Sequence, residues 1–279
     1  MSNPRTVTNL IEAEENKDGA GVFIWRSIGK HDLPELDPFL LLDSFGTENP
    51  DDYIAGFPDH PHRGFETVTY MIEGYMRHTD NTGSEGLLAP GAVQWMTAGH
   101  GIVHSEMPEQ REGKMQGFQL WVNLPASDKM CPPRYQNIDP DDVPVITTDD
   151  GTVIRIVTGT ANGITGPITG ISVDPLFIDV SLESNGTHTQ AITPGHTAFV
   201  YAFEGSVEVA GTNIAFNKLA LLSDGHEVAL TTKNSGRAIV VSGAPIGEPI
   251  ARYGPFVMNT NDEIRQAIKD FQTGEFFKL

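Results

Sequence analysis

The apolar residues of this chain come in short runs cut off by glycine and proline, a rhythm that leaves room for little except β-sheet. Residues 21–25, 39–42, 67–72, 92–96 and 118–124 are each strand length and rich in β-branched or aromatic side chains. Twenty-nine glycines and 19 prolines in 279 residues supply the turns that separate them. From Pro132 to Asp150 the pattern lapses into prolines and aspartates, which reads as a linker between domains. It then restarts at residues 153–158, 176–182, 197–203, 206–209, 219–223 and 238–242, with Glu204-Gly205 read as a hairpin turn. Two all-β domains follow, each an antiparallel barrel or sandwich. Helical spacing is persuasive only at the C-terminus, where Thr260 and Glu263 fit a capping box and Ile264, Ala267, Ile268 and Phe271 share one face.

Charge narrows the classes of function. Thirty-seven acidic against 18 basic residues give a formal net charge of -19, and no run of Lys or Arg interrupts it. Such a surface repels a nucleic-acid backbone, so direct nucleic-acid binding is not expected. The single cysteine, Cys131, rules out an intrachain disulfide and any multi-cysteine metal site. No stretch has the length or apolarity of a membrane span or signal peptide, so a soluble, intracellular protein is expected.

Four of the nine histidines form two tight groups: His60-Pro61-His62, and His100 with His104 just before Glu106. Side chains two apart on a strand point the same way. His60 and His62 therefore enter the interior together, as do His104 and Glu106, so that three imidazoles and a carboxylate can converge. Neutral imidazole and carboxylate suit Fe(II), Mn(II), Ni(II), Cu(II) or Zn(II), and spare positions on such an ion suit redox or Lewis-acid chemistry. His188, His196 and His226 lack any such pairing, and His31 and His78 sit in polar, turn-like contexts and receive no role. His100, between two glycines, is a candidate for the pocket rim.

The stretch His60-Pro61-His62-Arg63-Gly64-Phe65-Glu66-Thr67-Val68-Thr69-Tyr70 resembles the signature of the pirin family. So do Gln94-Trp95-Met96-Thr97-Ala98-Gly99, Gly101-Ile102-Val103-His104-Ser105-Glu106-Met107-Pro108 and Gln119-Leu120-Trp121-Val122-Asn123-Leu124. Near the C-terminus, Gly254-Pro255-Phe256-Val257-Met258-Asn259-Thr260 resembles a further motif of that family. The resemblance implies a bicupin, two stacked jelly-roll barrels of which only the first holds metal. The implied boundaries are a metal-binding barrel over 1–135, a linker over 136–150, a metal-free barrel over 151–250 and a helical segment over 251–279.

By the same resemblance the metal is mononuclear non-haem Fe(II), with Mn, Ni, Cu, Zn or Co as other possible occupants. Its ligands are His60, His62, His104 and Glu106. Glu66, where the general cupin pattern would put a carboxylate ligand, becomes a cavity-lining residue. Either Glu106 or Glu66 could act as the catalytic base. The implied activity is quercetin 2,3-dioxygenation, the opening of a flavonol by O2 with release of carbon monoxide. The alternative is an iron-dependent redox sensor that acts through contacts with transcription factors or metabolic enzymes. A monomer is expected, in the cytoplasm, or in the nucleus if the source is eukaryotic.

Overall fold

The computed structural model describes residues 3–276, and its strands gather into two compact units that interleave along the chain. One unit comprises residues up to Glu14 together with Asp141–Pro245, and the other Glu15–Pro140 together with the segment from Ile246 onward. This differs from the expected boundaries of 1–135, 136–150, 151–250 and 251–279, and strand pairing is the reason. Val7–Glu12 runs antiparallel to Lys218–Leu222 and so belongs with the later residues. Arg134–Ile138 is an edge strand on Val93–Thr97, while Val145–Thr147 pairs with Val153–Thr158. Both ends of the expected linker are thus absorbed into sheets.

In the unit built on Glu15–Pro140, a seven-stranded sheet runs in the order Arg134–Ile138, Val93–Thr97, Phe65–Glu73, Met115–Asn123, Phe39–Thr47, Val22–Ile28, Glu14–Asp18. A second sheet has the order Phe57–His62, Ile102–Pro108, Met76–Asp80, Glu85–Leu88. Their facing sides share a core in which Val22, Ile24, Phe45, Met71 and Met115 meet Met76 and Leu88. The result is a two-sheet jelly roll, the sandwich form of the barrel or sandwich that the strand pattern predicts.

The other unit is a sandwich of the same kind. Its longest strand, Thr197–Val209, pairs with Gly236–Gly243 and Lys218–Leu222 at one end and with Thr212–Ala215 and Glu227–Thr231 at the other. Glu204-Gly205 is the bulge where that strand changes partners, not a hairpin turn, and the register shifts between Ala202 and Glu204. Gly205 has φ 59°, and a Cβ there would lie 2.3 Å from the Ser235 carbonyl oxygen, so only glycine fits. The chain turns instead at Ala210-Gly211, which joins the paired residues Val209 and Thr212. Aliphatic side chains, including Ile154, Ile178, Val200, Ala220, Leu230 and Val240, fill the interior of this unit.

The expected C-terminal helix spans Asn261–Thr273. The Thr260 hydroxyl accepts from the Glu263 amide at 3.2 Å and Glu263 accepts from the Thr260 amide at 2.8 Å, which closes the capping box. Ile264 and Ala267 are buried with Phe256, Met258 and Phe276, so the apolar stripe docks within the unit that carries the histidines. No described helix is long and apolar enough to cross a membrane.

Phe276 is fully buried, with the Arg63 guanidinium 4.4 Å from its ring centre, whereas Phe271 on the helix is 42% exposed. Phe276→Ala is expected to cost about 3–5 kcal/mol in chemical denaturation, and Phe271→Ala under ~1 kcal/mol. Equal losses would contradict the inward placement of the terminal segment.

Candidate metal centre

Strand Phe57–His62 lies antiparallel to Ile102–Pro108, with His60 directly across from His104 and His62 across from Ile102. Beyond His104 the register shifts, so that Glu106 pairs with Phe57 and the extra residue is absorbed on the histidine-bearing strand. The shift lets the alternation on Ile102–Pro108 run on unbroken from His104 to Glu106. The rings of His60, His62 and His104 gather with centroids 4.4–4.8 Å apart, and one nitrogen from each lies within 4.8 Å of the others. Among the described residues no other group of three or more His, Cys, Asp or Glu has this geometry.

The free nitrogens suit a cation. His60 Nδ1 is 2.8 Å from the Pro58 carbonyl, which can only accept, so Nδ1 carries the proton and Nε2 keeps its lone pair. His104 Nδ1 is held 2.8 Å from His78 Nε2, while His104 Nε2 is buried without a partner. Both ring nitrogens of His62 are likewise buried and unpartnered. Burial, with the neighbouring His60 adding to it, holds the His62 pKa well below 6.5. Burial, followed by His62, does the same for His104. Both rings are therefore neutral at neutral pH, the state that binds metal. Several orphaned lone pairs converging in a buried site are costly unless something electropositive sits among them, and a divalent ion meets that need.

Glu106 reaches the same cavity from strand Ile102–Pro108, and the opposite sheet steadies it. The Thr69 hydroxyl lies 2.8 Å from Oε1, and the Gln119 amide donates to Oε2 at 3.1 Å. Thr69 and Gln119 are cross-strand partners, so one face of the seven-stranded sheet holds both ends of the carboxylate. The cavity measures about 550 Å³. His60, His62 and Glu106 line its floor with Thr69 and Gln119, and Ile24, Leu41, Phe45, Phe57 and Trp121 form apolar walls. Trp121 meets the His62 ring edge-on at 5.4 Å and carries the Arg252 guanidinium 4.8 Å from its ring centre. Arg26 bonds the buried Asp43 through two nitrogens at 2.8 and 2.6 Å, and burial pushes Asp43 up to about 6 in spite of that fork.

Glu66 does not join the cavity. It alternates with Thr69 on strand Phe65–Glu73 and so points to the opposite face of the sheet, where its Oε1 accepts from Thr97 at 2.6 Å. Burial raises its pKa there. The cavity-lining place that the family resemblance implies for Glu66 is not realised, because Arg63-Gly64 turns the chain from one sheet into the other. The count of residues from His62 then no longer tracks a face. His100 also lies away from the cavity, buried in its turn, with its amide bonded to the Cys131 carbonyl.

His78 is the residue that sequence reasoning passed over. It pairs across strands with Glu106, is 1% exposed and touches His104. Alternation within Met76–Asp80, where Met76 and His78 point inward together, is the signal that could have found it.

The pirin family pattern matches residues 21–122, and the pattern of the pirin C-terminal cupin domain matches residues 177–277. A pirin-like protein of Caulobacter vibrioides is 46% identical over 273 residues, which cover 98% of this chain and 99% of that one. Pirin from Homo sapiens is 41% identical over 282 residues, covering 99% and 95% of the two chains. The crystal structure of a quercetin 2,3-dioxygenase from Acinetobacter baumannii is 35% identical, with a TM-score of 0.92 and 99% of both chains covered. With two cupin units, both halves matched and relatives aligned from end to end, the chain belongs to the pirin family.

Proposed function

We propose that this pirin is an iron(II)-dependent flavonol 2,3-dioxygenase, with His60, His62, His104 and Glu106 as its metal ligands. The substrate is a quercetin-like flavonol whose central ring is opened by O2, both oxygen atoms entering the product as one ring carbon leaves as carbon monoxide. The observation that carries this reading is the set of buried, unpartnered imidazole nitrogens facing a cavity walled by aromatic and aliphatic side chains. The likeness to a protein named for quercetin dioxygenation supports it. When bound, iron(II) supplies Lewis-acid and one-electron chemistry toward an enolic oxygen.

The chain's own residues do the rest. Trp121, backed by the buried Phe65 with ring centres 4.4 Å apart, offers a wall for a planar ligand. Glu106 accepts from the Gln119 amide and shares the Thr69 hydroxyl with Gln119 Oε1, and its remaining lone pairs can take the proton of the flavonol 3-hydroxyl. Thr69 and Gln119 keep that carboxylate from swinging as the proton arrives. The apolar walls exclude water from the enolate so formed.

Iron-loaded protein should consume quercetin and O2 in equal amounts and release carbon monoxide, measured by absorbance, oxygen electrode and gas analysis. His62→Ala should lose both metal and turnover. Full iron occupancy without any flavonol loss would overturn the proposal.

The two glutamates should separate cleanly. Glu66→Gln is expected to keep wild-type iron content by elemental analysis, since its carboxylate faces the other side of the sheet. Glu106→Gln should lower iron content sharply, and the reverse pattern would reassign the carboxylate ligand.

A further inference from the structure

We propose that His78 is a positioning residue that fixes His104 in the tautomer able to bind a metal. This rests on the metal centre proposed above, but not on what that centre does to its substrate. His78 stands on Met76–Asp80 with its Nε2 2.8 Å from His104 Nδ1, the two rings inclined at 57°. Two nitrogens at that distance share one proton. Either His104 donates from Nδ1, which leaves its Nε2 lone pair free, or His78 donates and His104 must carry its proton on Nε2. The second arrangement would point a buried N–H at a place where it has no acceptor, and would remove the lone pair from the cluster.

The surroundings favour the first arrangement. Tyr135 lies behind His78, with ring centres 5.0 Å apart and its hydroxyl 3.5 Å from the same Nε2. At 3.5 Å that hydroxyl sits at the outer limit of a hydrogen bond, so it competes only weakly with His104 Nδ1, at 2.8 Å, for the lone pair of His78 Nε2. His78 Nε2 is left as the acceptor that His104 needs. His60 obtains the same service from the Pro58 carbonyl. His104 has no such carbonyl at Nδ1, and His78 takes its place.

The test uses Zn(II) alone as probe, which is diamagnetic and suits imidazole and carboxylate donors. Dissociation constants come from chelator competition on the full chain. His78→Phe should weaken Zn(II) binding about 10–100-fold. His78→Gln, whose Oε1 can accept from His104 Nδ1, should restore most of the loss. Equal affinity of His78→Phe and wild type would overturn the inference, and so would equal weakening by Phe and Gln. Should His78→Phe fail to fold, long-range 15N–1H NMR of the Zn(II)-loaded wild type decides. A proton on His104 Nδ1 supports the role, and a proton on Nε2 or a metal on Nδ1 refutes it. Wild type that takes up no Zn(II) would remove the metal centre itself, a failure distinct from tight binding that ignores His78.

Discussion

The site depends on one ladder, in which His60 faces His104 across two antiparallel strands. Pairing these residues brings two imidazoles together without any long side chain having to reach. His62 follows two positions along on the same face, and Glu106 follows His104 in the same way. The register shift near Phe57 has a chemical consequence. It inserts the odd residue on strand Phe57–His62, so the carboxylate still falls on the cluster's side and meets Thr69 and Gln119 on the facing sheet. Displacing either strand by one residue would send half of this set to the outer face. Buried Ile102 and part-buried Phe57, the apolar residues those two strands pack inward, make such a slip unfavourable, because it would turn them over too.

The second cupin unit repeats the sandwich without the chemistry. Isoleucine, valine, leucine and alanine occupy its interior, and each buried aliphatic side chain contributes roughly 1.5–3 kcal/mol. Polar groups there would need partners or an ion to avoid the penalty of burial. His188 is buried, His196 sits 4.0 Å from Asp174, and neither belongs to a group of three potential metal ligands among the described residues. One unit thus has a packed core, while the other gives up part of its core to a polar site where His62 and His104 are neutral because they are buried.

Strand alternation alone located His60, His62, His104 and Glu106 as a group, since alternation is a local property of each strand. The cavity-lining place that the family resemblance implied for Glu66 fails for a physical reason, the change of sheet at Arg63-Gly64. The bulge at Glu204-Gly205 looked like a hairpin because a glycine at positive φ serves both purposes. The interleaving of the two units was not legible at all. Val7–Glu12 pairs with Lys218–Leu222 across some two hundred residues, and nothing in either segment names its partner. His78 was hidden by the polar residues around it, although Met76 two positions earlier shows which way that strand faces.

The return of the chain to the first unit matters because of where it lands. Arg63, the residue after His62, is 4% exposed and needs several partners to offset its desolvation. It donates to the His100 carbonyl, pairs with Asp270 of the C-terminal helix at 2.7 Å and lies against the Phe276 ring. Lys129 completes the clamp from the other side, donating to the Gly64 and Val257 carbonyls at 2.8 and 3.1 Å and to Asn123 at 2.7 Å. Gly64 itself has no room for a side chain, since a Cβ would meet the Val257 oxygen at 2.0 Å. The turn that carries His62 out of one sheet is therefore pinned by residues more than a hundred and ninety positions downstream. A buried guanidinium stripped of Asp270 would be left with only carbonyls and a ring, at a cost of about 3–5 kcal/mol by the measure of broken buried pairs. The last strand and helix thus act on the proposed metal centre through the backbone next to His62, without contributing a ligand to it.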